Sequence, residues 1–217
     1  MVKIAIDPQQ AKHIRQKYSP VPQDEDERII DNLEQVTDKF LSSDKGLEYL
    51  LHEIAILIHR RFEFKEVAIG LLDFDGKFRY KVMQGFTSAS EAARKSLAYT
   101  KADMAGDSER FPSIPIGHAS EFLNGETLPE EFGIYNRPSQ LAKHRESPDE
   151  FKEGDYIDTF LYGRHKEMVG WIEVSGTKDG KLPERSTLFW LEMIASVLGL
   201  LVAQENRSLS VPRMKSV

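Results

Sequence analysis

Residues 167–206 read EMVGWIEVSGTKDGKLPERSTLFWLEMIASVLGLLVAQEN and change from the period of a strand to that of a helix. The first part, 167–175, is short and apolar, as a buried strand is. Asp179-Gly180 then indicates a turn. Pro183 is suited to the first helical position, so a helix is expected over 184–205. One stretch therefore predicts a strand and a long helix of the same α+β domain.

The strand at 167–175 has two unlike faces. Alternation places four residues on a uniformly apolar face that should meet helices: Met168, Gly170, Ile172 and Val174. Val169, Trp171 and Glu173 would occupy the opposite face, where an indole and a carboxylate could orient a ligand. A carboxylate in the centre of a sheet needs a polar partner or water. That partner could be a ligand group, Arg137 or a nearby lysine.

The chain before this stretch predicts the remaining regular elements. Two amphipathic helices are expected at 27–41 and 45–62, because their apolar residues recur every three or four positions. Strands are expected at 66–73 and 77–84, joined as a hairpin through Asp75-Gly76. A further strand is expected at 157–163. All of these segments should form one antiparallel sheet with the three long helices on one side.

The middle of the chain, residues 86–155, is rich in proline and glycine. A short helix is expected within 88–99. A structureless stretch of this length is unusual inside a compact domain, so the rest should form short strands and helical turns over a cavity. The organisation is thus an N-terminal extension at 1–23, a single domain at 24–206 and a flexible tail at 207–217.

Three stretches resemble the GAF domain family of small-molecule sensor modules. They are FLSSDKGLEYLLHEIAILIHRRFEFKEVAIGLLDFDGKFRYKVMQGF (40–86), EGDYIDTFLYG (153–163) and the stretch at 167–206, which is similar to GAF modules of prokaryotic sensor kinases. The resemblance spans about 25–206, with 86–152 matched only in position and length. It implies an α+β fold: an antiparallel sheet of five or six strands, with N- and C-terminal helices packed on one face. Loops and short helices would cover the other.

Composition excludes several functions. The net charge of −6 argues against a nucleic-acid binder, which needs a concentrated basic face. The chain has no cysteine, which removes thiolate catalysis, thiolate metal sites and the bilin attachment and sulfoxide reduction known in the resembled family. The family's cyclic-nucleotide signature does not thread onto the chain, where Asn136 is followed by Arg137. The most apolar run, 188–202, is shorter than the roughly 20 residues of a membrane span, so we expect a cytoplasmic protein without a membrane partner.

The candidate ligand-binding residues lie on the predicted strands and in the middle region. They are Trp171, Glu173, Phe160, Tyr162, His118 and Tyr135. His118 could also serve as a haem ligand, although a lone loop histidine is more often structural. No catalytic or metal-binding residue is predicted, and the sequence identifies no cofactor. The alternative is that the aromatic residues fill the core and leave no cavity.

The best functional interpretation is a non-enzymatic GAF-like sensor or regulatory module that binds a small molecule and signals through helix packing in a homodimer. The dimer is expected to use Ile29, Leu33, Val36 and Phe40 together with the exit helix. No output domain follows Asn206, so a separate signalling protein is an expected partner. One alternative is a structural dimerisation or scaffold module with a filled pocket. Another is a small enzyme that uses acid and base residues of the middle region.

Overall fold

The computed structural model describes residues 25–42, 46–104, 111–125 and 132–210, and the predicted extension at 1–23 lies outside this part of the chain. The helices are α1 (Glu25–Ser42), α2 (Leu47–Arg61), α3 (Ser88–Lys95) and α4 (Arg185–Ser210). The strands are β1 (Phe64–Leu72), β2 (Phe78–Gln84), β3 (Ser113–Pro115), β4 (Ser120–Leu123), β5 (Tyr156–Tyr162) and β6 (Met168–Thr177). Two 3₁₀ turns span Phe132–Ile134 and Pro138–Gln140.

The six strands form one sheet in the order β2-β1-β6-β5-β4-β3, with every neighbouring pair antiparallel. β1 and β6 are adjacent, so the segments predicted at 66–73 and 167–175 do belong to one antiparallel sheet. The predicted α+β class is therefore confirmed. β3 and β4 extend the sheet from the middle region, as two of the short strands expected there.

The main hydrophobic core lies between the sheet and two helices. α2 packs on β1 and β2, and α4 packs on β5 and β6. The buried face of α2 repeats at helical spacing and consists of Leu50, Leu51, Ile54, Ala55, Leu57 and Ile58. Each fully buried leucine or isoleucine contributes about 1.5–3 kcal/mol, so this layer accounts for much of the driving force for folding.

The apolar stripe of α1 is covered by the same chain. Ile29 and Val36 are buried, and Leu33 packs against the main core as a partly buried residue. α1 makes its contacts with α2. Ile29, Leu33 and Val36 were expected at a dimer contact, but in the structure α2 covers this stripe within the same chain. The side chain of Phe40 lies outside the described residues.

One end of β6 departs from simple alternation. Leu161 pairs with Gly170 but Tyr162 pairs with Met168, so the register shifts and Val169 has no partner on β5. As a result Val169 joins the helix-side core, whereas Met168 packs on the other face. The predicted faces were therefore exchanged at these two positions and correct from Gly170 onward.

α4 has an apolar stripe that is exposed within the described part of the chain. Phe189, Met193, Val197 and Leu200 follow one another at helical spacing, and each is 42–59% exposed. Residues Arg185–Asn206 also have the length and composition of a membrane span, although one face of the helix packs on the sheet. One such helix is weak support for a membrane segment, since core helices pass the same test. The helix continues to Ser210, past the predicted domain end at 206.

The face of the sheet opposite α2 and α4 is covered by the middle region. α3 lies there and contacts β2 and the 3₁₀ turn at Phe132–Ile134. Its first turn is capped by Thr87, whose Oγ1 accepts a hydrogen bond from the Ser90 amide at 3.2 Å. The helix ends at Lys95, before the predicted end at Tyr99. This middle region, the cover, encloses a space against the sheet.

Candidate functional site

A cavity of about 70 Å³ lies between the covered face of the sheet and the middle region. Its walls come from β2, β4, β5, β6, α3 and the cover. The lining residues are Tyr80, Arg94, Tyr99, Asp103, Met104, Phe111, Glu121, Leu123, Ile134, Tyr135, Tyr156, Asp158, Phe160, Trp171 and Glu173. A water molecule needs roughly 10–15 Å³ of such space, so the cavity has room for more than one.

Trp171 forms an aromatic wall of the cavity. Its indole lies over Gly70 of the neighbouring strand, where a Cβ atom would stand 2.0 Å from the ring. Tyr80 and Tyr99 meet the indole edge-to-face at centroid distances of 5.1 and 6.0 Å. The missing side chain at Gly70 therefore makes room for this large ring.

Glu173 belongs to a buried hydrogen-bonded network. Tyr80 donates its hydroxyl proton to Glu173 Oε2 at 2.6 Å, and Arg94 Nη1 donates to Glu173 Oε1. Arg94 also donates to the hydroxyl oxygens of Tyr80 at 3.0 Å and Tyr156 at 2.9 Å. Burial, followed by the nearby Glu173 charge, raises the pKa of Tyr80 well above its usual value. Tyr80 therefore remains a proton donor to this carboxylate at physiological pH.

Arg94 reaches the network from α3. Its side chain is 2% exposed, and its Nε atom donates to the carbonyl oxygen of Ile134 at 3.1 Å. The guanidinium carbon lies 4.7 Å from the centroid of the Phe86 ring. Arg94 thus joins the cover to the sheet and supplies the positive charge that a buried Glu173 requires.

Asp158 lies beside this network, and no ion pair to it is found within the described ranges of the chain. It is the directly paired residue of Glu173 across β5 and β6. Asp158 lines the cavity, but its Oδ1 atom is sealed from solvent and has no hydrogen-bond partner in the described part of the chain. Burial raises the pKa of Asp158 well above its usual value, and the charges of Glu173 and Glu121 add to the effect.

Two further acids line the cavity and do have partners. Ser113 Oγ donates to Glu121 Oε2 at 2.6 Å. Asp103 Oδ2 accepts from the amide and hydroxyl of Thr100 at 2.7 and 2.8 Å. Among the described residues, the lining thus holds four carboxyl groups and one guanidinium.

The structure brings together four of the six predicted site residues. Trp171, Glu173, Phe160 and Tyr135 line the cavity. Tyr162 does not, because it lies beyond the register shift at the end of β5 and is 40% exposed.

His118 is also outside the cavity wall. It is exposed in the turn before β4, and the next residue, Ala119, donates its amide to Glu192 Oε1 of α4 at 2.8 Å. This turn therefore lies against the exit helix, so the prediction that His118 lines the pocket was wrong. A haem ligand role for His118 in this cavity loses its basis as well.

The partner of Glu173 is Arg94, and Arg137 has other partners. Arg137 Nη2 donates to Glu66 Oε1 at 3.0 Å, and its Nε donates to Glu153 Oε2 at 2.8 Å. Asn136 also donates to Glu66, at 2.9 Å. Burial raises the pKa of Glu66 even though these donors act in the opposite direction. This cluster fastens the cover to β1.

The residues that sequence reasoning missed include Arg94, Tyr80, Tyr156 and Asp158. Two signals were available in the strands. Asp158 shares a strand face with Phe160, and an acid within an apolar strand is unusual. Tyr80 alternates with charged residues in the hairpin. For Arg94 no local signal exists, because a basic residue in a short polar helix is ordinarily solvated.

The described residues contain no group of three or more histidine, aspartate or glutamate side chains that could hold a metal ion. The cavity instead combines aromatic rings, one engaged arginine and an acid with a free acceptor. Such a lining suits an organic molecule with a polar group.

No protein-family model and no curated protein matches this sequence. Solved structures match it in three dimensions. A GAF domain/HD domain protein from Geobacter sulfurreducens gives a TM-score of 0.53 at 9% identity, covering 75% of this chain and 95% of that chain. The phycocyanobilin-bound GAF domain of a cyanobacterial phytochrome gives 0.53 at 10% identity, covering 88% and 100%. The GAF domain of an Acinetobacter phosphoenolpyruvate-protein phosphotransferase gives 0.50 at 11%, covering 85% and 98%.

The chain has a GAF-like fold. The three-dimensional similarity shows this fold, and at sequence identities of 9–11% it does not identify a ligand. In the GAF-like fold of this chain, the cavity lies on the sheet face opposite the entry and exit helices, as the sequence resemblance implied.

Proposed function

We propose that this chain is a GAF-like sensor or regulatory module that binds a small molecule in the cavity beside Trp171. The observation that supports this most is Asp158, which lines the cavity and whose buried Oδ1 atom has no hydrogen-bond partner in the described chain. Buried polar atoms are ordinarily hydrogen-bonded, and a ligand group would complete this one. The small-molecule binding stated for the phytochrome GAF domain agrees with the proposal.

We infer that the chain binds its ligand without converting it chemically. Arg94, Tyr80 and Glu173 satisfy one another through short hydrogen bonds, which fixes the shape of the wall. A fixed wall of this kind suits recognition of a ligand. The proposed role is therefore that of a receptor.

A path from the cavity to the exit helix is available through β4. Glu121 lines the cavity, and two residues earlier the Ala119 amide is bound to Glu192 of α4. The turn is tightly fitted, since a Cβ atom at Gly117 would lie 2.2 Å from Glu192 Oε1. A ligand that displaces β4 would therefore change the position of α4.

We propose that α4 also forms the homodimer contact. The exposed stripe of Phe189, Met193, Val197 and Leu200 offers apolar surface that a second copy would bury. We leave the stripe of α1 out of the dimer contact, because α2 covers it within the same chain. In the dimer, a shift of one α4 would change its packing on the other and pass the signal to an output partner.

A second candidate is a dimerisation or scaffold module that binds no ligand. The small volume of about 70 Å³ favours it, together with a Trp171 side chain that is only 1% exposed. In this case the aromatic residues would serve as a second core.

Mass spectrometry of small molecules released from freshly purified, denatured protein separates the two. The sensor proposal expects a compound released in near-stoichiometric amount from the wild type. A Leu123→Trp variant, which fills the cavity from β4, should release none, while the volume-conserving Leu123→Met should retain it. A wild-type protein that releases nothing and gains no thermal stability from any small-molecule mixture would favour the scaffold.

A further inference from the structure

We infer that the group recognised in this cavity is a positively charged N–H donor on a small organic molecule, such as a protonated amine or an amidinium. This inference rests on the proposed function, namely that the cavity is a ligand site. It adds the chemical class of the ligand and the residue that would select it, Asp158.

The charge of the lining is the first argument. Four carboxyl groups and a single guanidinium face the cavity among the described residues. The guanidinium of Arg94 already donates hydrogen bonds to Glu173 and to two tyrosine hydroxyls, and none of these bonds goes to Asp158. The described lining therefore offers acceptor oxygens to a cationic ligand and no unengaged cation to an anionic one.

Asp158 supplies the specific contact. Its Oδ1 atom is sealed from solvent and has no partner in the described ranges. In its ionised form the Asp158 carboxylate only accepts, so a ligand that binds this form must donate a hydrogen bond, and a charged donor gives the stronger bond. Burial and the neighbouring acids raise the Asp158 pKa, so in the empty cavity a proton takes the place that the ligand cation would take.

The aromatic walls fit the same ligand. Phe160 and Trp171 line the cavity on the strands that carry Asp158 and Glu173. The electron-rich face of an aromatic ring attracts a cation, most strongly where water is excluded. The arginine already present uses this attraction at Tyr80 and Tyr156, where its guanidinium carbon lies 5.4 and 5.1 Å from the ring centroids.

The volume sets the size of the recognised group. About 70 Å³ is roughly five times the 10–15 Å³ of such space that one water molecule needs. An amidinium or primary ammonium head with one or two carbons fits this space. Acetamidinium, acetamide and acetate have nearly the same shape and differ in charge, so they form a matched set of probes.

The test is an NMR titration with these three probes at constant ionic strength, following the indole N–H signal of Trp171 in a Trp190→Phe background. We expect acetamidinium to bind about tenfold more tightly than acetamide, because a charged hydrogen bond replaces a neutral one. Asp158→Asn should lower the acetamidinium affinity about tenfold and leave that of acetamide unchanged. Asp179→Asn, which removes an exposed acid outside the cavity, should change neither.

Each other outcome overturns the inference. Equal or tighter binding of acetamide or acetate would reject the cation while leaving the cavity as a ligand site. No response to any probe would also reject the cation, and the mass-spectrometric experiment would then decide the proposed function on its own. If Asp158→Asn fails to fold, the comparison of the three probes on the wild type still gives the answer.

Discussion

Asp158 and Glu173 are directly paired residues on adjacent antiparallel strands, and of these two only Glu173 is bound to a guanidinium in the described chain. Like charges in directly opposed positions destabilise a sheet, and burial increases the cost. Arg94 and Tyr80 remove that cost for Glu173. The negative charge of an ionised Asp158 has no such partner in the described chain, so a proton or a ligand has to neutralise it.

The pH dependence of stability should reveal this imbalance. The pKa of Asp158 is raised by burial, then by Glu173 and Glu121, against a smaller opposing effect of Arg94. The folded chain therefore holds this proton more tightly than the unfolded chain. That stabilisation is complete below the unfolded pKa of about 3.9 and is lost as the pH rises toward the folded pKa.

Asp158→Asn should accordingly gain stability relative to the wild type as the pH rises above about 4, by up to roughly 1.4 kcal/mol per pH unit. Urea unfolding at a series of pH values measures the difference. Asp179→Asn is a control of opposite sign, because a hydrogen bond from the Lys181 amide lowers the pKa of Asp179. Parallel curves for wild type and Asp158→Asn would show that Asp158 has an ordinary pKa.

Arg94 and Glu173 should be strongly coupled. Either Arg94→Met or Glu173→Met leaves a buried charge alone, and we expect a loss of about 3–5 kcal/mol from each. The double variant should lose much less than the sum, which a double-mutant cycle of unfolding free energies measures. The exposed pair of Lys178 and Glu63, at 2.9 Å, is the control and should show almost no coupling. Additive losses for Arg94 and Glu173 would contradict the assigned ion pair.

Gly70→Ala should disturb Trp171. The new Cβ atom would lie 2.0 Å from the indole, so the ring must move away from β1. We expect a loss of about 1–3 kcal/mol, typical of overpacking, with a shift in Trp171 fluorescence. Gly133→Ala is the matched control, because its Cβ would sit at an ordinary 3.6 Å from Ala93. Equal stability of the two variants would mean that the indole does not lie over Gly70.

Two aspartate substitutions should separate association from folding. Val197→Asp places a charge on the 44% exposed stripe of α4 and should weaken the proposed dimer with little effect on the monomer. Leu33→Asp places a charge against the main core and should lower the unfolding free energy instead. Sedimentation and urea unfolding measure the two effects. A wild type that sediments as a monomer at tens of micromolar would refute the dimer.

The sequence predicted the sheet and long helices because their periods are local properties. The hairpin through Asp75-Gly76 and the apolar stripe of α2 needed no knowledge of the rest of the chain. The Trp171 and Glu173 face also followed from alternation alone. Alternation failed at Val169, where the register shift depends on pairing with β5 and leaves no mark in the sequence.

The site was harder to predict because its contacts join distant parts of the chain. Arg94 and Glu173 are 79 residues apart, and nothing near Arg94 distinguishes it from a solvated arginine. His118 illustrates the converse, since its place in the covering region suggested the pocket while its turn packs on α4. The apolar stripe of α1 is a similar case, because the sequence does not show that α2 covers it.

The most direct test of the account is an intermolecular NOE experiment on the wild-type chain with acetamidinium. Because the ligand site is assigned to the cavity, the methyl protons of the probe should show NOEs to the aromatic protons of Trp171 and Phe160. At the same probe concentration, Asp158→Asn should weaken these NOEs in proportion to the occupancy lost through the roughly tenfold lower affinity. NOEs confined to the exposed side chains of α4, or NOEs to Trp171 that persist unchanged in Asp158→Asn, would contradict the assignment of Asp158 and its cavity as the recognition site.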